Sequence, residues 1–126
     1  MEANMRATLL LVAVLALTVY GQLAIKARAL AHSADGAATV DKFVYLKAML
    51  SDPGVLSGLA AAILAAIAWI VALERLEIGF AYPFVALSFV FVPLGAKFLF
   101  AEPLPPLQIL GMALIVIGVT MSALAR

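Results

Sequence analysis

Four long stretches of this sequence contain no charged residue, and they constrain the fold more than any other feature. Each is 19 to 23 residues long, and together they hold 82 of the 126 residues. A helix of about 20 apolar residues crosses the hydrocarbon core of a bilayer. The pattern predicts an all-α fold, a four transmembrane helix bundle that forms a single domain over 1–126. The predicted spans are about 7–27, 53–73, 78–100 and 106–125.

Composition excludes several classes of protein. Hydrophobic residues make up 67% and charged residues 12% of the chain, whereas a soluble domain is about a quarter charged. A net charge of +1 gives no basic surface for nucleic acid, so we expect no nucleic-acid partner. With no cysteine and one histidine, His32, no metal site, other cofactor or enzyme activity is predicted. We interpret His32 as an ordinary exposed side chain.

The first span has a second interpretation as a secretory signal peptide. Arg6 precedes the apolar run, and Ala29-Leu30-Ala31 could form a cleavage site. The run is longer than a typical signal core, and Lys26 and Arg28 lie between it and that site. This favours a retained membrane helix.

The connection between the first two spans divides into two parts. Residues 31–39 are small and polar, which is typical of a flexible loop. Over 41–50 the spacing of Phe43, Leu46 and Leu50 gives one apolar helical face. We predict a short interfacial helix there, with an irregular loop as the alternative.

The second span begins with a capping pattern, because Asp52 precedes Pro53. Its interior is rich in glycine and alanine, so we expect it to pack against protein on several sides. The third span contains Pro83 and Pro93, each of which can kink a helix. A turn over only 74–77 predicts that these two spans form an antiparallel hairpin.

The fourth span carries a stripe of small residues at helical spacing, Gly111, Gly118 and Ser122. Small residues let helices approach closely in lipid, so the stripe predicts a contact surface. The contact could lie within the chain or with a second copy, and we favour the second copy.

The cations are concentrated on one side of the membrane. Three lie on the side of the termini and five on the other, which favours cytoplasmic first and third connections. The five could serve as snorkelling anchors or as a capture site for a phosphate headgroup. Lys97 is the best candidate for capture, with Glu102 as a possible ion-pair partner. The five are Lys26, Arg28, Lys42, Lys47 and Lys97.

A polar line runs along the first span. Thr18, Gln22 and Lys26 lie on one helical face, with Tyr20 beside them. The line should face a bundle or a cavity, since a polar amide is not left facing lipid; hydrogen bonding between helices alone would also explain it. No carboxylate lies near the middle of a span, which disfavours a proton-coupled antiporter.

Several short motifs resemble the drug/metabolite transporter superfamily. Their order and spacing together carry the resemblance. Small members of that superfamily include the small multidrug resistance exporters and the EamA-like flippase subunits for undecaprenyl-phosphate-linked aminoarabinose. The motifs are Gly79-Phe80-Ala81-Tyr82-Pro83, Leu87-Ser88-Phe89-Val90, Glu102-Pro103, Gly111-Met112-Ala113-Leu114-Ile115 and Gly118-Val119.

The first span distinguishes between these two groups. Aligned with the exporters, Thr18 stands at or next to the place of their membrane glutamate, so the proton-coupling carboxylate is missing. Tyr20-Gly21-Gln22-Leu23 followed by Lys26 instead looks like the Gly-Gln opening of the flippase group, and Tyr82-Pro83 is similar to that group too. The long first connection departs from its pattern.

These observations lead to one hypothesis and two alternatives. We expect a multi-pass flippase of the bacterial inner membrane for a polyprenyl-phosphate lipid or a lipid-linked sugar, with Gly111, Gly118 and Ser122 at the interface of a homodimer or a heterodimer with a paralogous subunit. The alternatives are an efflux transporter of organic cations and a non-transporting membrane subunit. The expected substrate-binding residues are Thr18, Tyr20, Gln22, Lys26, Arg28, Tyr82, Ser88, Lys97 and Glu102.

Overall fold

The structure is a computed structural model, and it describes residues 2–34 and 41–125. Over these residues the chain forms helices joined by short connections, with no strand, so the predicted all-α class is confirmed. The helices are α1 (Glu2–Ala34), α2 (Lys42–Leu50), α3 (Pro53–Leu73), α4 (Ile78–Val85), α5 (Ser88–Phe100) and α6 (Pro106–Leu124).

Four helical segments within the described residues are long and apolar enough to cross a membrane, which confirms the four predicted spans. They are α1, α3, α4 with α5, and α6. The first helix is longer than predicted: its 33 residues include positions 31–34, which we expected in a loop. Alanine and leucine in its last turns favour helix. The rest of that expected loop, 35–39, lies outside the described residues.

The helix α1 is the centre of the bundle. It packs mainly against α3 and also contacts α2, α4 and α5, whereas α6 packs on α4 and α5. At the crossing of α1 and α3, a Cβ atom added to Gly21 would lie 3.0 Å from the carbonyl oxygen of Gly58. One added to Gly58 would lie 3.0 Å from the carbonyl oxygen of Gly21. The two backbones are therefore in contact, as small residues permit in membrane helices.

The remaining faces of α3 are open. Ile63, Ile67 and Ile70 are more than half exposed, so this chain covers one side of the helix, and the packing of its other sides against protein stays a prediction. A tight turn over 74–77 joins α3 to α4. Beyond this turn, Trp69 of α3 meets Tyr82 of α4 edge to face, with ring centroids 6.0 Å apart. Above this turn α4 lies against α1 rather than along α3.

The third span is interrupted between α4 and α5, and each of these helices contains one proline. The break lies at Ala86 and Leu87, whose N–H groups bond to carbonyls three residues earlier. Pro93 has no N–H for the Phe89 carbonyl, and Pro83 has none for the carbonyl of Gly79. The interruption places Ser88 at the first turn of α5, and a kink at either proline stays a prediction.

The second part of the first connection forms the helix α2 and not an irregular loop. Asp41 caps it, accepting a hydrogen bond from the Phe43 N–H. Met49 faces the protein, whereas Phe43 and Leu46 are mostly exposed. An exposed apolar face flanked by lysines is compatible with the predicted interfacial position, which stays a prediction.

The small-residue stripe of α6 faces outward. Met112 and Val119 are the buried residues of this helix. Within the described residues nothing lies within 4 Å of a Cβ added to Gly111 or Gly118. The alternative of a contact within the chain is therefore wrong over these residues, and the second copy stays a prediction.

Replacing Gly58 by alanine should lower the free energy of unfolding by about 1–3 kcal/mol, because the new methyl group presses on a backbone carbonyl that cannot move alone. The measurement is the unfolding midpoint in mixed micelles of increasing SDS content. Gly118→Ala is the matched control at a protein concentration where the chain is monomeric, since its methyl group meets no described atom of the chain within 4 Å. Equal losses in the two variants would contradict the glycine crossing.

Candidate functional site

Two neighbouring cavities lie against the polar line of α1. One, of about 310 Å³, is bounded by α1, α3 and α4 and includes Trp69 and Tyr82 in its wall. The other, of about 380 Å³, lies between α1 and α5 and includes Ser88 and Pro93. Thr18 and Gln22 line both cavities. The structure thus brings together four of the predicted site residues.

The local fold explains why these side chains meet. Thr18 and Gln22 are one turn apart on α1, just beside Gly21, where the glycine crossing holds α3 close. The ring of Tyr82, which lies in α4, is oriented by its edge-to-face contact with Trp69. Ser88 comes to the α1 side because the third span breaks one residue before it.

The polar groups of this site are available to a ligand. Among the described residues, no side-chain hydrogen bond is made by Thr18, Gln22 or Ser88. A hydroxyl or amide in a membrane helix needs a partner, because lipid supplies none. Side chains of this kind can bind hydroxyl groups and oxygen atoms of a polar headgroup.

Tyr20 is not brought to these cavities. Its ring lines an apolar groove between α1 and α5 together with Leu23 and Phe98. Its hydroxyl lies 3.0 Å from Ser57 Oγ. Because Ser57 donates its own proton to the Gly54 carbonyl at 2.6 Å, Tyr20 is the donor. This residue therefore links α1 to α3.

Two oppositely charged residues meet at the end of the polar line. Lys26 Nζ lies 3.4 Å from Glu102 Oε1, and both side chains are nearly half exposed. Ala101 ends α5 in the left-handed conformation with φ 53°, which reverses the chain and brings Glu102 back toward α1. We expected Glu102 to pair with Lys97; the pairing with Lys26 corrects this.

Lys97 lies in the last turn of α5 at the same end of the bundle. Its side chain is exposed and makes no ion pair with any described residue. Lys42 and Lys47 of α2 are also exposed. Of Lys26, Arg28 and Lys97, the three cations that lie at the ends of membrane spans, Lys97 is therefore the one that leaves its charge unpaired in this part of the chain.

Arg28 belongs to a cluster that we call the Asp52 clasp, made of Arg28, His32 and Asp52, in which the Arg28 side chain is 45% exposed. Asp52 is only 6% exposed. Its Oδ2 accepts hydrogen bonds from Arg28 Nε at 2.8 Å and lies 2.8 Å from His32 Nε2, while Oδ1 accepts from the Gly54 N–H at 2.7 Å. The capping role predicted for Asp52 is confirmed. The interpretation of His32 as an ordinary exposed side chain is wrong.

The clasp fixes the charge of Asp52. The hydrogen bond from the Arg28 guanidinium, helped by His32 and the Gly54 N–H, holds the pKa of the Asp52 carboxyl well below its usual range. Arg28 also contributes its apolar stem, which lies so close to Gly54 that a Cβ there would be 2.6 Å from Cγ. The Arg28 side chain is therefore engaged in contacts within the protein.

A sequence pattern could have revealed this clasp. Arg28 and His32 are one turn apart on α1, and Asp52 begins α3 at the same side of the membrane. A histidine in this position can be a metal ligand or an exposed side chain, and it can also be a hydrogen-bond partner for a capping carboxylate, as His32 is here. The turn at Ala101 had no such warning, because no glycine marks it.

The chain is similar to proteins that are named as probable lipid flippase subunits. The probable 4-amino-4-deoxy-L-arabinose-phosphoundecaprenol flippase subunit ArnE of Pseudomonas aeruginosa PAO1 is 42% identical over 74 residues, 59% of this chain and 64% of that protein. The proteins of the same name from Pseudomonas paraeruginosa and Salmonella paratyphi B are 47% identical over 53 residues and 42% over 55. These matches cover 42% and 44% of this chain and 46% and 50% of those relatives.

These similarities confirm the predicted resemblance, over less than two thirds of each relative's length. No family model and no solved structure matches the sequence. Together with the four membrane-spanning helices, the bacterial relatives confirm the predicted location. The chain is a multi-pass protein of the bacterial inner membrane.

Replacing Asp52 by asparagine should lower the melting temperature at neutral pH, because asparagine still caps α3 but cannot neutralise Arg28. The folded carboxyl has the lower pKa, so its contribution is complete above the ordinary pKa near 4 and is lost as pH falls below it. Wild-type protein should therefore lose stability on acidification below about pH 4, and Asp52→Asn should lack this component. Asp41→Asn, at the exposed cap of α2, is the matched control. Identical acid profiles for wild type and Asp52→Asn would contradict the clasp.

Proposed function

We propose that this protein is a flippase subunit that moves a polyprenyl-phosphate-linked sugar across the inner membrane. The observation that carries the proposal is the arrangement of unpaired polar groups along α1 and α5. Lys97 offers a cation that has no ion-pair partner in the described part of the chain, and Thr18, Gln22 and Ser88 line cavities deeper in the bundle. A charged headgroup needs both an entry contact and polar partners in the span.

The relatives support a more definite substrate. Their names specify 4-amino-4-deoxy-L-arabinose linked through phosphate to undecaprenol. We therefore take an amino sugar on a polyprenyl phosphate as the first substrate to test. Such a molecule has an apolar chain that can stay in lipid and a small polar head that fits a site of hydroxyl and amide groups.

Capture of the phosphate is assigned to Lys97 and Lys26. Both side chains are exposed, and lysine donates charge-assisted hydrogen bonds to phosphate oxygens. Arg28, which we expected in the same rim, is instead held on Asp52. Its role in this proposal is to position the end of α1 from which Lys26 extends.

A second subunit completes the proposed transporter. Thr18 and Gln22 line cavities that the four spans of one chain leave open on one side, with Gln22 exposed. The outward glycines of α6 provide a surface on which another helix can pack closely. The relatives are named subunits, which supports a partner, either a paralogous subunit or a second copy of this chain.

Replacing Lys26 and Lys97 together by glutamine should weaken binding of the polyprenyl phosphate at least tenfold, because two charge-assisted hydrogen bonds are lost. Binding is measured with purified protein in nanodiscs made of a zwitterionic lipid. Arg75→Gln, at the opposite end of the bundle, is the control for net charge and should have no effect. Unchanged affinity in the double variant would exclude this capture site.

Replacing Thr18 by valine should slow transport in proteoliposomes and leave phosphate binding intact, because the hydroxyl lies along the path and not at the entry. Thr120→Val is the matched control. Thr120 is exposed on α6, and its hydroxyl donates to the Val116 carbonyl. The assay follows the loss of lipid-linked sugar from the outer leaflet. Similar rates in both variants would remove Thr18 from the path.

A further inference from the structure

We propose that Glu102 recognises a positively charged amine on the headgroup, while Lys26 binds the phosphate of the same molecule. The inference rests on the proposed function and adds to it a residue that determines substrate specificity. It concerns the Lys26–Glu102 ion pair, of which the proposed phosphate capture uses only Lys26. The ligand class is a lipid headgroup with one phosphate and one primary ammonium group.

The Lys26–Glu102 ion pair is weak enough for a ligand to separate. Its atoms are 3.4 Å apart, and the side chains are 49% and 42% exposed. Ion pairs with this exposure contribute little to stability, because water competes for both charges. A ligand can therefore separate them at small cost and replace one ion pair by two.

The position of the pair fits a headgroup site. Lys26 follows Gln22 by one turn on the same face of α1, so the pair continues the line that borders both cavities. Glu102 is held at this end by the left-handed turn at Ala101. A residue other than glycine in that conformation is under strain, and here it turns a carboxylate toward the membrane boundary.

The charges at this end favour a zwitterionic ligand over a purely anionic one. A headgroup with phosphate alone would satisfy Lys26 and Lys97 but would leave Glu102 without its partner and next to a second negative charge. A headgroup that also carries an ammonium group gives Glu102 a new partner. Repulsion of the wrong ligand and attraction of the right one then act at the same residue.

The other described carboxylates do not offer this contact. Asp52 is buried in its clasp, and Asp41 caps α2. Glu74 and Glu77 lie in the turn between α3 and α4, and Glu2 begins α1, all at the opposite end of the bundle. Glu102 is the described carboxylate that is both exposed to a ligand and adjacent to the phosphate-binding lysines.

The test compares two lipids in nanodiscs of phosphatidylglycerol: a polyprenyl phosphate that carries an amino sugar, and the same lipid with its amine N-formylated. Wild-type protein should bind the free amine at least tenfold more tightly. Glu102→Gln should remove this preference and retain affinity for the formylated lipid. Lys26→Gln should weaken both lipids by a similar factor and keep the preference. Glu74→Gln is the control and should match wild type.

The outcomes separate this inference from the proposed function. If wild-type protein binds neither lipid, the proposed function fails. If it binds both equally, or if Glu102→Gln and Lys26→Gln have the same effect, Glu102 is only a structural partner and the inference is wrong. Glu102→Asp provides a second variant with the charge retained and should keep the preference even if Glu102→Gln does not fold. Phosphatidylethanolamine has the same two charges, so competition by this lipid would identify it as the ligand and overturn the assignment to a sugar.

Discussion

The contact between Gly21 and Gly58 is the interaction on which the other features of this structure depend. It sets α1 and α3 at the distance of two touching backbones, and both helices run from there to the same end of the bundle. That approach brings Arg28 within hydrogen-bonding distance of Asp52 and Tyr20 within reach of Ser57. Without a hydrophobic effect between helices in lipid, such close packing and a few polar contacts must provide the association energy.

The same constraint explains the division of polar residues into two groups. Lipid offers no hydrogen-bond partner, so each polar group in a span must find one in the protein, in water or in a ligand. Tyr20, Ser57 and Asp52 find partners within the chain. Thr18 and Gln22 do not among the described residues, and they line the cavities. An unsatisfied group of this kind indicates a site whose partner arrives from outside the chain.

The sequence was sufficient to predict the elements but not their pairings. Charge-free stretches and Pro53 located the spans, because length, hydropathy and backbone chemistry act locally. The partner of Glu102 could not be predicted, since it depends on a left-handed turn at Ala101 that an alanine rarely adopts. The role of His32 was predictable in part: its spacing from Arg28 on α1 is visible in the sequence, but its hydrogen bond to Asp52 also requires the approach of α1 to α3 at Gly21. The cavity residues Thr18 and Gln22 were predictable, because helical periodicity alone places them on one face.

Arginine and lysine have different roles at this end of the bundle: arginine bonds a group within the chain, and the lysines are exposed to a ligand. Arg28 uses a planar group with several donors to hold a buried carboxylate, a task for which a rigid fork of N–H groups is suited. Lys26 and Lys97 are exposed point charges on flexible stems, which can follow a moving phosphate and release it. A transporter must bind without trapping, so its ligand contacts should be weaker and more mobile than the contacts that keep it folded. The residues at this end of the bundle satisfy that requirement: the pair of Arg28 with the buried Asp52 maintains the helix positions, and the Lys26–Glu102 pair, in which both side chains are nearly half exposed, can exchange partners.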